Sequence, residues 1–150
     1  MSEEKKNKLP PPVLLSAIIC DRVIFDSLTG GMPSIIGVLQ TISAPNYPAR
    51  HGRLAFFCEL TNGHGKENIT AKLVDVQQED KMLIEQVVQT EFSDARKVVG
   101  LGFGFEGIIF PHPGEYRFQI YAGTNLLGER RVICRQIKQR GDKIDDTTNK

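Results

Sequence analysis

Residues 116–122 read YRFQIYA, and the alternation in them decides the fold. Tyr116, Phe118, Ile120 and Ala122 alternate with Arg117, Gln119 and Tyr121. A period of two sends one set to a buried face and the other toward water, which predicts a half-buried strand. Gly123-Thr124-Asn125 follows as a tight connection, and Leu126 to about Lys138 reads as the partner strand. Upstream, Leu54, Phe56, Cys58 and Leu60 share one face of a segment. Ile69, Ala71 and Leu73 share one face of the next, with Thr70 and Lys72 pointing away. The loop from Asn62 to Asn68 contains Asn-Gly and predicts a hairpin between these two runs. Val13 to Phe25 is apolar on both faces, as in a strand inside a sandwich, and Ser34 to Ile42 is a further apolar run.

Two segments need arbitration. Residues 79–92 (EDKMLIEQVVQTEF) carry a helical stripe of Leu83, Ile84, Val87, Val88 and Phe92. A single short helix between strands leaves a sheet position unfilled, and sequential strands tend to be neighbours, so the context favours strand. Residues 100–110 (GLGFGFEGIIF) place Gly102, Gly104 and Gly107 at the spacing of a dinucleotide-binding loop. That loop needs a helix N-terminus behind it, and Pro111 and Pro113 deny one. The stretch therefore predicts an irregular or bulged strand. Short strands between turn signals add up to an all-β fold: an antiparallel immunoglobulin-like β-sandwich of about seven to nine strands. Gly114-Glu115-Tyr116 suits the corner of such a sandwich, where a Tyr near the start of a late strand bonds back to the backbone. Residues 1–12, charged and then Pro-rich, predict a disordered arm; residues 139–150 predict a disordered tail; residues 13–138 form the domain.

The 150 residues are 40% hydrophobic and 25% charged, with a net charge of +1. That balance excludes a strongly basic nucleic-acid wrapper and an acidic disordered chain. Three cysteines, Cys20, Cys58 and Cys134, sit in apolar runs at spacings that match no zinc pattern. They read as reduced structural thiols and point to the cytoplasm. Lys5, Lys6 and Lys8 before an apolar run ending at Cys20 faintly imitate an export signal. Pro10-Pro11-Pro12 and the bulky Ile19 argue against that reading. No run approaches the roughly 18 apolar residues of a spanning helix, so no membrane is expected.

Two patches together suggest kinship. The first is Asp21-Arg22-Val23-Ile24 with Asp26, a glycine at 30 or 31, and Ser34-Ile35-Ile36-Gly37-Val38. The second is Phe110-Pro111-His112-Pro113-Gly114-Glu115-Tyr116-Arg117-Phe118, followed by Leu127-Gly128-Glu129-Arg130. The chain resembles an uncharacterised family of small bacterial proteins, over about residues 17–136. Cys20 stands where that pattern has Ala, and Leu39 where it has Phe. The resemblance implies a β-sandwich and no assigned activity, so it transfers no functional residue.

Chemistry is sparse. His51, His64 and His112 lie beside Gly or Pro, and none is spaced to share a metal with another or with a Cys. No nucleophile elbow or zinc-peptidase motif occurs. Asp21, Asp26, Glu59 and Asp75 have nothing in sequence to pair them. We expect no catalytic residue, no cofactor and no metal. Arg130, Arg131, Arg135, Lys138, Arg140 and Lys143 form a C-terminal basic stripe that can follow phosphates or an acidic partner. Protection of a sheet edge explains it as well, which makes nucleic acid the less favoured partner. The loop 44–53, with Tyr47, Arg50 and His51, is the most decorated connection. The contact surface expected from sequence is thus Tyr47, Arg50, His51, Arg131 and Arg135, on a non-catalytic module with a protein partner. An enzyme of unrecognised mechanism is the remaining alternative.

Overall fold

The computed structural model describes residues 9–138. The predicted tail, and all of the predicted arm but 9–12, lie outside these residues. Nine strands occur among the described residues: β1 (Val13–Asp26), β2 (Met32–Val38), β3 (Thr41–Ala44), β4 (Ala49–Thr61), β5 (Gly65–Asp75), β6 (Lys81–Phe92), β7 (Val99–Phe110), β8 (Gly114–Ala122) and β9 (Asn125–Gln136). They form a four-stranded sheet, β2-β1-β4-β7, and a five-stranded sheet, β3-β9-β8-β5-β6. The fold is the all-β sandwich that the alternation predicts. All neighbours are antiparallel except β3 and β9, which run parallel from Thr41–Ile133 to Ala44–Gln136.

The inward residues of the predicted strands make the core. Leu54, Phe56, Cys58 and Leu60 of β4 face Ile69, Ala71 and Leu73 of β5 and Tyr116, Phe118 and Ile120 of β8. Phe56 stacks on Phe118 at 4.9 Å between centroids, and Phe105 tilts against the same ring at 5.6 Å. Such offset ring pairs add to the gain from burial itself. All three cysteines are free and buried, as expected of structural thiols.

Residues 81–92 are indeed strand, paired with β5 from Gly65–Phe92 to Asp75–Lys81. Three expectations need correcting. β4 and β5 do not form a hairpin: β4 pairs with β7 from Ala49–Phe110 to Leu60–Val99, and β5 belongs to the other sheet. The turn between them is tied elsewhere, because Asn62 donates its N–H to the Ala95 carbonyl and Thr61 Oγ1 donates to Ala95 and Lys97. The run 34–42 is two strands, since the chain leaves β2 at Leu39-Gln40 and enters the opposite sheet as β3. The stripe at 130–138 is not on a sheet edge over 133–136, because β3 flanks β9 there.

β1 departs most from a simple strand. Its pairing with β4 ends at Cys20–Ala55, whereas its pairing with β2 runs on to Asp26–Met32. A Cβ on Gly102 would lie 3.4 Å from Phe25 Cε2 and 3.5 Å from Val23 Cβ. Gly102 is on the outer face of β7, opposite in phase to the core residues Phe103 and Phe105. The second half of β1 therefore crosses over β4 and lays the β1–β2 hairpin on the outside of its own sheet. Cys20, Ala55 and Phe57 are buried although they face away from the main core, Phe57 to 4% exposure. Gly102 supplies the clearance that a larger residue in β7 would close.

Candidate functional site

Two places gather polar groups. The first is the turn between β7 and β8. His112 Nε2 lies 2.6 Å from Asp75 Oδ2, and His112 Nδ1 lies 2.7 Å from the Pro113 carbonyl. Asp75 is 1% exposed and also accepts the Gln77 N–H at 3.1 Å. Tyr116 Oη donates to the His112 carbonyl at 2.6 Å, and its ring stacks on the imidazole at 5.5 Å. This is the backbone-bonding Tyr that the corner motif predicts. Both imidazole nitrogens face acceptors, so the geometry calls for a proton on each. The Pro113 carbonyl, with the Asp75 carboxylate adding to it against partial burial, raises the His112 pKa above its ordinary value. With both nitrogens donating, His112 keeps no lone pair for taking a proton from a substrate. The Cys134 thiol, close enough to feel the Asp75 charge, is inert, because burial pushes it up to about 12; burial does the same to Cys58, which lies far from this turn beside Leu101.

The second place is the outer face under the hairpin. A cleft of about 650 Å³ is bounded by Asp21, Val23 and Phe25 of β1, Arg53 and Ala55 of β4, and the stretch from Gly102 to Glu106 of β7. The alternating glycines leave bare backbone as its floor. Arg53 grips Asp21 through Nη2–Oδ2 at 2.7 Å and Nε–Oδ1 at 3.3 Å. That grip, with Arg22 and His51 nearby, holds the Asp21 carboxyl below the usual range. Beyond the cleft the other face of the hairpin is apolar and open, with Met32 63% exposed and Ile24, Ile36 and Val38 on the same face, and Leu28 93% exposed at the tip.

The outer face of the five-stranded sheet is of another kind. Glu115 accepts from Arg117 at 2.8 Å and from Arg131 at 3.1 Å. Glu129 accepts from Arg117 and Gln119, Tyr121 donates to Gln119, and Lys72 lies over the Tyr121 ring. This face is a closed polar ladder.

A pattern described as that of a family of unknown function matches residues 15–133. The chain belongs to this family, DUF6941. No curated protein matches the DUF6941 chain. Among solved structures it is similar to a β-glucosidase from Listeria innocua in complex with isofagomine, at 10% identity and a TM-score of 0.42. That likeness covers 85% of this chain and 17% of the other. A β-glucosidase from Erythrobacter marinus is similar at 18% identity and a TM-score of 0.39, over 64% of this chain and 14% of that one. The chain thus spans less than a fifth of either structure, and neither likeness carries an argument about it.

The residues singled out from sequence do not converge on one spot. Tyr47 Oη donates to the Arg135 carbonyl at 2.7 Å, so these two do meet. Arg50 and His51 are in β4 and not in a loop, because the connection after β3 is only 45–48. Arg50 is exposed and His51 half-buried, and neither lines the cleft. Arg131 is held by Glu115 on the ladder. Arg140 and Lys143 of the stripe lie outside the described residues. Sequence reasoning missed the cleft and the Asp75–His112 pair. The signal for the cleft was present, since glycines at 100, 102 and 104 alternate with Leu101 and Phe103, a strand that is bare on one face.

Proposed function

We propose that this domain is a non-catalytic interaction module that meets a protein partner through the hairpin side of the four-stranded sheet. The observation that carries this reading is the apolar surface of the β1–β2 hairpin, where Ile24, Met32, Ile36 and Val38 stand exposed on the face opposite to the one that Val23 and Phe25 turn to β7, with Leu28 exposed at the tip. A contiguous apolar patch beside polar surroundings is characteristic of a docking face. The opposite outer face supports the contrast, because its charges already satisfy one another. Arg131 shares the Glu115 carboxylate with Arg117, which weakens the competing reading of the stripe as a phosphate track. The saturated His112 argues in the same direction against acid–base chemistry at the corner. An immunoglobulin-like assignment draws support from the Tyr116 corner and the β9-β8-β5-β6 strand order. A cytoplasmic location draws support from three buried, unpaired thiols. Among the described residues no helix is long and apolar enough to cross a membrane, a statement that leaves β-barrels untouched.

The test compares quantitative capture from native lysate by the unaltered chain, by Leu28→Asp with Met32→Asp, and by Arg131→Glu. A partner enriched by the first and third and lost with the second supports the reading. Equal enrichment by all three, or none by any, refutes it. Loss with Arg131→Glu alone transfers the function to the stripe.

A further inference from the structure

The β1 departure leaves an opening in the sheet itself. β4 pairs with β7 down to Ala49–Phe110, but on its other side β1 accompanies it only as far as Ala55. Among the described residues, no backbone hydrogen bond other than the β7 ladder reaches Ala49–Arg53. Along these five residues, a length of about 17 Å, alternate residues turn their N–H and C=O groups away from β7 onto an unpaired edge. This inner edge lies beside the cleft floored by Gly102 and Gly104. We propose that it receives an extended, acidic segment of a partner protein as an added strand, a deepening that rests on the reading of the domain as an interaction module.

Charge selects the occupant. Arg50, His51 and Arg53 lie on the unpaired stretch, and Arg22 lines the cleft opposite. Only Asp21 and Glu106 stand among them, and both act on Arg53. Arg22 and Arg50 make no ion pair among the described residues. A second copy of this edge would set arginines against arginines, and like charges opposite one another destabilise a strand pair. An acidic strand meets the same side chains favourably, while its main chain closes the open ladder as in other strand additions. The hairpin walls the opening with Val23 and Phe25, which gives an alternate apolar side chain a place to rest.

The probe is a labelled heptapeptide alternating Glu with Val and Thr, read by fluorescence anisotropy. Its controls are the same peptide with Lys for Glu, and one N-methylated at alternate amides. Saturable binding of the acidic peptide, weakened about tenfold in either control and about tenfold by Arg50→Glu or Arg22→Glu, supports the proposal. Hydrogen exchange at 49–53 slows in the complex. No saturable binding of the acidic peptide overturns it, as does equal binding of the Lys peptide or survival after N-methylation. The Leu28→Asp, Met32→Asp chain separates the two readings. Peptide binding without hairpin-dependent capture leaves this inference standing alone, and hairpin-dependent capture without peptide binding removes only this one.

Discussion

Replacing His112 with alanine removes the clasp between the β7–β8 turn and the end of β5. The imidazole donates from Nδ1 to the Pro113 carbonyl and from Nε2 to Asp75, and its side chain is 28% exposed. The first bond is worth about 1 kcal/mol and the second, between charged groups, about 1.5–3 in a dry setting. Partial exposure trims the second, so His112→Ala should cost about 2–3 kcal/mol at pH 6. At about 3 °C per kcal/mol for a domain of this size, Tm falls by roughly 6–9 °C. The sign with pH follows from the raised folded-state pKa of His112. Its contribution is fully present below the unfolded value of about 6.5 and is lost as pH rises through the folded one. Thermal melts of both chains from pH 5.5 to 9 should show a Tm gap that is widest at the acid end and narrows steadily. A gap that stays constant or widens toward pH 9 refutes the doubly protonated imidazole. So does a nitrogen NMR spectrum showing a neutral ring at pH 6.

Other outcomes are as specific. Tyr116→Phe removes the hydroxyl that meets the His112 carbonyl inside the fold, and a urea titration should lose about 1–2 kcal/mol with an unchanged slope. Gly63→Ala places a Cβ 2.3 Å from the Phe92 ring, and the same titration should lose about 1–3 kcal/mol. Gly102→Ala meets Phe25 and Val23 at ordinary contact and should be neutral, whereas Gly102→Leu should lift the hairpin and speed amide exchange at Val23 and Phe25. Cys58 and Cys134, with thiols pushed up to about 12 by burial, should resist a disulfide reagent at pH 8 until denaturant is added.

The strands were legible because their apolar residues alternate, and the period survives wherever one face is buried. YRFQIYA and the run from Leu54 to Leu60 sit where that alternation puts them. Even 81–92, despite its helical stripe, was recoverable from its place between strands, and it pairs along β5 as the edge strand of its sheet. Partnership was harder to read. Asn62-Gly63 has hairpin composition, but Asn62 and Thr61 bond to the 95–97 segment and send β5 to the other sheet. That choice depends on residues more than thirty positions away, which no local pattern encodes. The same holds for the pairing of His112 with Asp75 and for the bend of β1 over β7. Both are tertiary facts, and only the bend left a trace in the sequence, in the bare glycines of β7 that face Val23 and Phe25.

The parallel pairing of β3 with β9 bears on how the chain is made. Thr41–Ala44 are synthesised well before the strand they need, at 133–136, which emerges after every other strand among the described residues. A growing polypeptide must hold β3 unpaired until residues 133–136 have been made, with β8 waiting for the same neighbour. Such long-range closure is slow and leaves strand edges open to wrong partners. The five-stranded layer becomes whole in one late event, and the cell's folding helpers have the whole interval before it in which to matter.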